Sequence, residues 1–254
     1  MQDSDFFQQI PHVPVPWGDR KMHVPLFYYD LASITAAFLT PLDNIRALLP
    51  SSRMHPLRVT PWHGMTSITA YEYRDCDIGP YNEVAIGFPI TLDKASPVFT
   101  GLLRKPRGIP KAYVHHLPVT TQIAMDAGVE FANYPKFVAD ITFEKKAGAL
   151  HCRLSEDQHH ILTLSVQELP LQPVARTHLH SITYWEDRIL RLEFIFAERR
   201  QGISRSAAHA HLELGEHPIA QDLRELKPGR MLYCQYTPQF QAILSPVLES
   251  FAGS

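Results

Sequence analysis

Short runs in which apolar and polar side chains alternate fill the middle of the chain. Side chains on a strand point alternately to two faces, so such runs predict half-buried strands. Met65–Tyr73, Tyr113–Pro118, Phe137–Phe143, Ala149–Leu154, His160–Val166, Ser181–Tyr184 and Ile189–Phe196 read this way. Glu83–Ile90 is instead nearly continuous in apolar residues, which predicts a strand covered on both faces. Helical spacing shows in three places. Leu42–Leu49 (LDNIRALL) stops at Pro50, Thr120–Ala127 has Gly128 placed to end it, and Pro238–Phe251 carries Pro246 as an internal kink. Tyr28–Phe38 is apolar without a clear period. Residues 1–25 read as an extended arm rich in proline, and residues 91–112 as a basic loop with Lys94, Arg104, Lys105, Arg107 and Lys111. No repeat or linker interrupts residues 1–254, so the pattern predicts one mostly-β α+β domain built on a β-barrel or folded sheet.

Composition sharpens this. The 21 prolines, many of them in the first half, leave little room for long helices. A formal net charge of -2 gives no global field directed at nucleic acid or a membrane surface. No run approaches the ~18 apolar residues of a membrane helix, and the polar, acidic start lacks the features of a signal peptide. The expectation is a soluble, cytoplasmic protein. Cys76, Cys152 and Cys234 are scattered and form no CxxC pair, so neither a disulfide framework nor a zinc knuckle is expected. There is no G-x-S-x-G elbow and no glycine-rich nucleotide loop. No cofactor is called for.

Two segments carry candidate chemistry. In Ala127–Phe137 (AGVEFANYPKF), Lys136 stands between Tyr134-Pro135 and Phe137-Val138. An amine attacks a ketone only when unprotonated, and an apolar wall disfavours the ammonium form. The resulting iminium withdraws electrons from the neighbouring carbon, which serves decarboxylation, aldol chemistry and dehydration alike. The bland account of such a lysine is a surface residue whose stem lies on an apolar face. In Asp75–Ile90 (DCDIGPYNEVAIGFPI), Gly79-Pro80 marks a turn, and Tyr81 and Glu83 then open the apolar strand. A carboxylate there is either solvated at a rim or aimed into a pocket.

Taken together these segments resemble the acetoacetate decarboxylase family. Tyr81-x-Glu83 before an apolar strand, Gly128, Glu130 and Tyr134-Pro135-Lys136 in that order, the strand Tyr113–Val119 between them, and Phe38–Pro50 (FLTPLDNIRALLP) upstream all fall as they do in that family. The resemblance covers about residues 25–155. It implies a cone-like antiparallel β-barrel with additional sheet and a few short helices, and oligomeric assembly, commonly of identical subunits. It matches Lys136 to the Schiff-base lysine and Glu83 to a pocket carboxylate, the two catalytic candidates. Tyr81, Tyr134, Phe137 and His116 are the candidates for substrate contact, and a small carbonyl compound or keto acid is the implied partner. The sequence departs from the family in three places. Phe137 stands where a second lysine follows the first, Ile68 or Thr69 where an acid precedes Tyr-x-Glu, and Leu31 near the position of an arginine that receives the substrate carboxylate. These losses point to a divergent decarboxylase-like, aldolase or dehydratase activity.

Other classes remain in view. The pairs His115-His116, His159-His160, His178-x-His180 and His209-x-His211 invite a cupin-like metal enzyme, but none has a well-spaced third ligand, and no metal site is expected. On a regular strand only one of His115 and His116 can face inward. A non-catalytic barrel that binds a carbonyl ligand is the alternative to the enzyme.

Overall fold

A computed structural model of the chain describes residues 5–8, 10–98 and 108–254. Much of the basic loop around Arg104–Arg107 lies outside the described residues. The N-terminal arm contains a hairpin, β1 (Val13–Trp17) and β2 (Arg20–Val24), turned at Gly18 with φ +54°. Then follow β3 (Leu26–Pro41), α1 (Leu42–Leu48), β4 (Met54–Pro56), β5 (His63–Cys76), β6 (Tyr81–Leu92), β7 (Lys111–His116) and α2 (Gln122–Ala132). The second half contains β8 (Asp140–Lys146), β9 (Ala149–Glu156), β10 (His159–Gln167), β11 (Gln172–Val174), β12 (Thr177–Trp185), β13 (Arg188–Phe196), β14 (Arg199–Ser204), β15 (Ala210–Leu214), α3 (Pro218–Glu225), β16 (Met231–Leu244) and β17 (Glu249–Ala252).

The hairpins of the second half form by tight turns. Ala147-Gly148, Asp157-Gln158 and Glu186-Asp187 all have positive φ at both central residues, the turn that matches the twist of paired strands. Pairing runs β16-β3-β5-β6-β7-β12-β13, and β13 returns to β16 through Phe194–Phe196 and Ala242–Leu244. The sheet thus closes on itself as the barrel that the sequence implies. Every contact of this ring is antiparallel except β7 with β12. β14, β17 and β4 extend the sheet outside the ring.

Pro238–Phe251 is not a helix; it spans the end of β16, a short connection and the start of β17. Ala242, Ile243 and Leu244 pair with β3 on one side and with β13 on the other, and this double pairing closes the barrel. The ladder to β3 shifts register between Thr237 and Phe240, where Pro238, which has no N–H to give, is accommodated.

A second sheet, ordered β15-β10-β9-β8, packs on the outside of the barrel. The main core lies between the two. Ile34, Ile68, Ala70, Val84, Ile86 and Phe88 of the barrel meet Leu154, Leu162, Leu164 and Val166 of the outer sheet. Each fully buried Val, Leu, Ile or Phe side chain here contributes about 1.5–3 kcal/mol. Alternation then sends the intervening residues inward. On β6, Val84, Ile86, Phe88 and Ile90 enter this core, while Glu83, Ala85, Gly87 and Pro89 line a cavity inside the barrel. The near-continuous apolar run of β6 therefore serves two different faces. All three cysteines are free and buried. No helix among the described residues is long and apolar enough to cross a membrane.

Candidate active site

Lys136 owes its position to the end of α2. Thr121 caps the start of the helix, its side chain accepting from the N–H of Ala124 at 3.3 Å. At the other end Asn133 adopts a left-handed conformation, φ 47°. The N–H of Asn133 bonds the Val129 carbonyl at 3.0 Å, and the N–H of Tyr134 bonds the Gly128 carbonyl at 3.1 Å. These bonds satisfy carbonyls left open at the helix end and reverse the chain. The reversed segment is then fastened to the strand beside it. Leu117 donates to the Pro135 carbonyl at 3.2 Å and Val119 to the Phe137 carbonyl at 3.0 Å. On the other side of residues 117–119, Val84 donates to the Pro118 carbonyl at 3.1 Å. Two stretches far apart in sequence thereby meet, with Lys136 facing Glu83.

Gly128 does not end the helix, as the sequence suggested; it lies inside α2, which runs on to Ala132. A Cβ there would stand 2.4 Å from Cδ and 2.5 Å from Cε of Lys136. The lysine stem occupies the space that a side chain would fill.

Nζ of Lys136 lies 2.8 Å from Oε2 of Glu83, and both side chains are buried, at 6% and 7% exposed. A lone buried charge is costly, and each group here compensates the other. Moving one proton from Nζ to the carboxylate leaves two neutral groups at hydrogen-bond distance, one of them the free amine that attacks carbonyl carbon. Tyr73 donates its hydroxyl to the other carboxylate oxygen of Glu83 at 3.2 Å. Nζ also sits over the rings of Tyr81 and Tyr134, at 5.4 Å and 5.8 Å from their centroids. The Tyr28 and Tyr81 hydroxyls meet at 3.4 Å. Burial, aided by the negative charge of Glu83, pushes the phenols of Tyr28, Tyr71, Tyr73, Tyr81 and Tyr134 above their ordinary range. They stay neutral and can donate hydrogen bonds.

The pair borders a cavity of about 550 Å3 inside the barrel. Tyr73, Glu83, Tyr134 and Lys136 line one part of it; Arg199 and Lys111, neither of which the sequence marked as a site residue, also line it. A smaller cavity of about 30 Å3 lies behind Lys136, lined by Met22 and Val24 of β2 and by Gly128 and Phe131 of α2. The N-terminal hairpin is tied to that helix by Trp17, whose indole N–H donates to Glu130 at 2.7 Å.

Of the residues marked in the sequence, Lys136, Glu83, Tyr81 and Tyr134 come together. Phe137 does not join them; next to Lys136 in sequence, its ring turns to the main core. His116 lies outside the cavity lining, and so does His115. The reason is a register shift. Ile86 pairs with His116 but Gly87 pairs with Val114, so His115 is an extra residue in β7. Such a bulge re-aims side chains, and the two imidazoles come to lie 4.2 Å apart. They meet Asp222 of α3, with His116 Nε2 3.5 Å from its carboxylate. Burial lowers the pKa of His115 to about 4 and that of His116 below its usual value. Donor atoms of His115, His116 and Asp222 lie within 4.8 Å of one another, and among the described residues this is the group with a spacing that could hold a metal ion.

The positions where the sequence departs from the family are also explained. Leu31 is fully buried, with an apolar cluster around it. Ile68 enters the main core, and Thr69 lines the cavity and bonds Thr35 at 3.0 Å. Tyr73 was missed by sequence reading, although it shares a face of its strand with Tyr71 and Thr69.

Comparison with curated protein sequences gives no significant match. Among solved structures, an acetoacetate decarboxylase superimposes with a TM-score of 0.66 at 13% identity, over 90% of this chain and 88% of that one. An acetoacetate decarboxylase from Legionella pneumophila gives 0.64 at 13% identity, over 94% and 92%. The enduracididine biosynthesis enzyme MppR, in complex with pyruvate, gives 0.61 at 15% identity, over 95% and 98%. The family model described as acetoacetate decarboxylase matches residues 9–237, and the chain belongs to that family.

Proposed function

We propose that the protein is a lysine Schiff-base enzyme that acts on a small carbonyl compound inside the barrel. The observation that carries this reading is the buried contact of 2.8 Å between Nζ of Lys136 and Glu83 at the cavity wall. The neutral amine adds to the carbonyl carbon, and Glu83 gives the oxygen the proton it first took from Nζ. Glu83 then takes the second proton that nitrogen loses and passes it to the carbinolamine hydroxyl, which leaves with both protons as water, and an iminium remains. Its positive nitrogen accepts the electron pair released when a bond to the adjacent carbon breaks, whether to a proton, a carboxylate or a carbon fragment. Tyr73 fixes the carboxylate, and the faces of Tyr81 and Tyr134 support the cation. Family membership and the pyruvate complex of MppR favour the same substrate class.

The test is reductive trapping. The protein is incubated with acetylacetone, pyruvate or acetoacetate, reduced with borohydride and mapped by mass spectrometry. An adduct on Lys136 that is absent from Lys136→Ala supports the enzyme. Ligand binding without any adduct in the folded protein would instead make this a non-catalytic binding barrel.

A further inference from the structure

Arg199 begins β14 and lines the cavity. Its Nε donates to Gln201 at 3.2 Å, and its Nη1 to the Thr177 hydroxyl at 3.1 Å and the Ala197 carbonyl at 3.3 Å. These are neutral acceptors. Among the described residues no carboxylate pairs with the guanidinium, and Nη2 has no hydrogen-bond partner. A partly buried cation without a counter-charge is costly unless a ligand supplies one. The other charges of the cavity wall differ. Glu83 is matched by Lys136. Lys111, also on the wall, adds a second cation without a carboxylate partner among the described residues.

Arg199 and Lys136 line the same cavity but are tied to different points of β12. On β12, Thr177 holds the guanidinium, while Ser181 bonds Tyr134 beside Lys136. Four strand residues span roughly 13 Å. On β5, Tyr71 stands between the two groups. Its phenol is influenced by both Glu83 and Arg199, and its ring stacks on Tyr73 at 5.5 Å. The wall also carries Ala112, Val114, Leu179, Phe194 and Phe196, all apolar.

We infer that Arg199 is the anion anchor of this cavity, so that the carbonyl compound taken by Lys136 carries a carboxylate at the far end of an apolar chain. A β-keto acid, with one methylene between carbonyl and carboxylate, cannot reach both groups. The carboxylate held by Arg199 is therefore not one that leaves from the carbon next to the iminium. It is a handle that places the carbonyl, and two charge-assisted hydrogen bonds from the planar guanidinium fit it. This inference rests on the Schiff-base reading of Lys136 and deepens it.

The experiment compares methyl ketones that end in a carboxylate with neutral methyl ketones of equal length, from 4-oxopentanoate to 8-oxononanoate. Each is trapped with cyanoborohydride, and the half-saturating concentration for adduct on Lys136 is measured. In the wild type the longer oxo acids label at concentrations about tenfold to a hundredfold lower than their neutral partners. In Arg199→Gln the two series converge. Equal labelling of acid and neutral ketone in the wild type, at every length, overturns the anchor while leaving the Schiff-base reading intact. So does a preference for the acid that survives in Arg199→Gln. If no compound labels Lys136, the Schiff-base reading fails and this inference falls with it.

Discussion

A methyl group on Gly128 would stand 2.4 Å from Cδ of Lys136, closer than real carbon atoms pack. The obstructing atoms belong to the flexible end of the lysine and not to backbone, so the lysine would yield while the helix stayed in place. Gly128→Ala is thus expected to separate stability from function. Replacing glycine by alanine inside a helix favours folding by about 1 kcal/mol. Displacing the amine by an ångström costs about a hundredfold in reaction. Thermal unfolding should show a midpoint unchanged or raised, while trapping at Lys136 falls by about that factor. A midpoint lowered by several degrees would show that the helix, not the lysine, gives way.

The Lys136–Glu83 contact should behave as a coupled pair. Lys136→Met leaves the Glu83 carboxylate buried beside tyrosines, and Glu83→Gln leaves the ammonium without a counter-charge. Breaking one side of a buried pair costs about 3–5 kcal/mol. The double variant removes both charges, so its stability should lie well above the sum of the two losses. Urea denaturation of the four proteins measures this coupling. Additive losses would mean that the two groups do not interact in the folded state.

The strands were legible because alternation is a local property. Leu42–Leu48 and most second-half strands fall where the pattern puts them. What escaped depends on contacts distant in sequence. Ala242–Leu244 has apolar residues that fit a helix as well as a strand, and only pairing with β3 and β13 decides between them. His115 and His116 turn together because of a bulge against β6, which strict alternation cannot foresee. Nothing local in the sequence joins Glu83 to Lys136, yet the fold sets them 2.8 Å apart. Arg199 carries no local signal, since only the folded sheet brings its side chain to the same cavity as Tyr71.

Asn133 should be the backbone hinge on which Lys136 depends. Its φ of 47° suits glycine and asparagine but strains a β-branched residue. Its side chain also donates to the Tyr184 carbonyl at 3.2 Å, tying the helix end to β12. Asn133→Gly should keep both fold and trapping nearly intact. Asn133→Val should lose about 1–3 kcal/mol in urea denaturation. It should also lower trapping, because Tyr134–Lys136 leave from this residue. Equal stability of the two variants would remove the left-handed cap from the account.

Alkaline pH should unfold the protein through its cavity. Tyr28, Tyr71, Tyr73, Tyr81 and Tyr134 are all held above the ordinary phenol range, first by burial. The same cause pushes the Cys76 thiol up to about 12. In the unfolded chain these phenols release protons near pH 10 and the thiol near pH 8.5. The folded protein keeps its protons there, so it binds more of them than the unfolded chain, and stability falls as pH rises. The decline should begin above about pH 8.5, where the thiol titrates, and steepen through pH 10. Absorbance at alkaline pH should show only part of the ten tyrosines ionising while the protein remains folded. The remainder should appear together with loss of secondary structure by circular dichroism. Gradual ionisation of all ten in the folded state would mean that these phenols are open to water, and with them the site of Lys136.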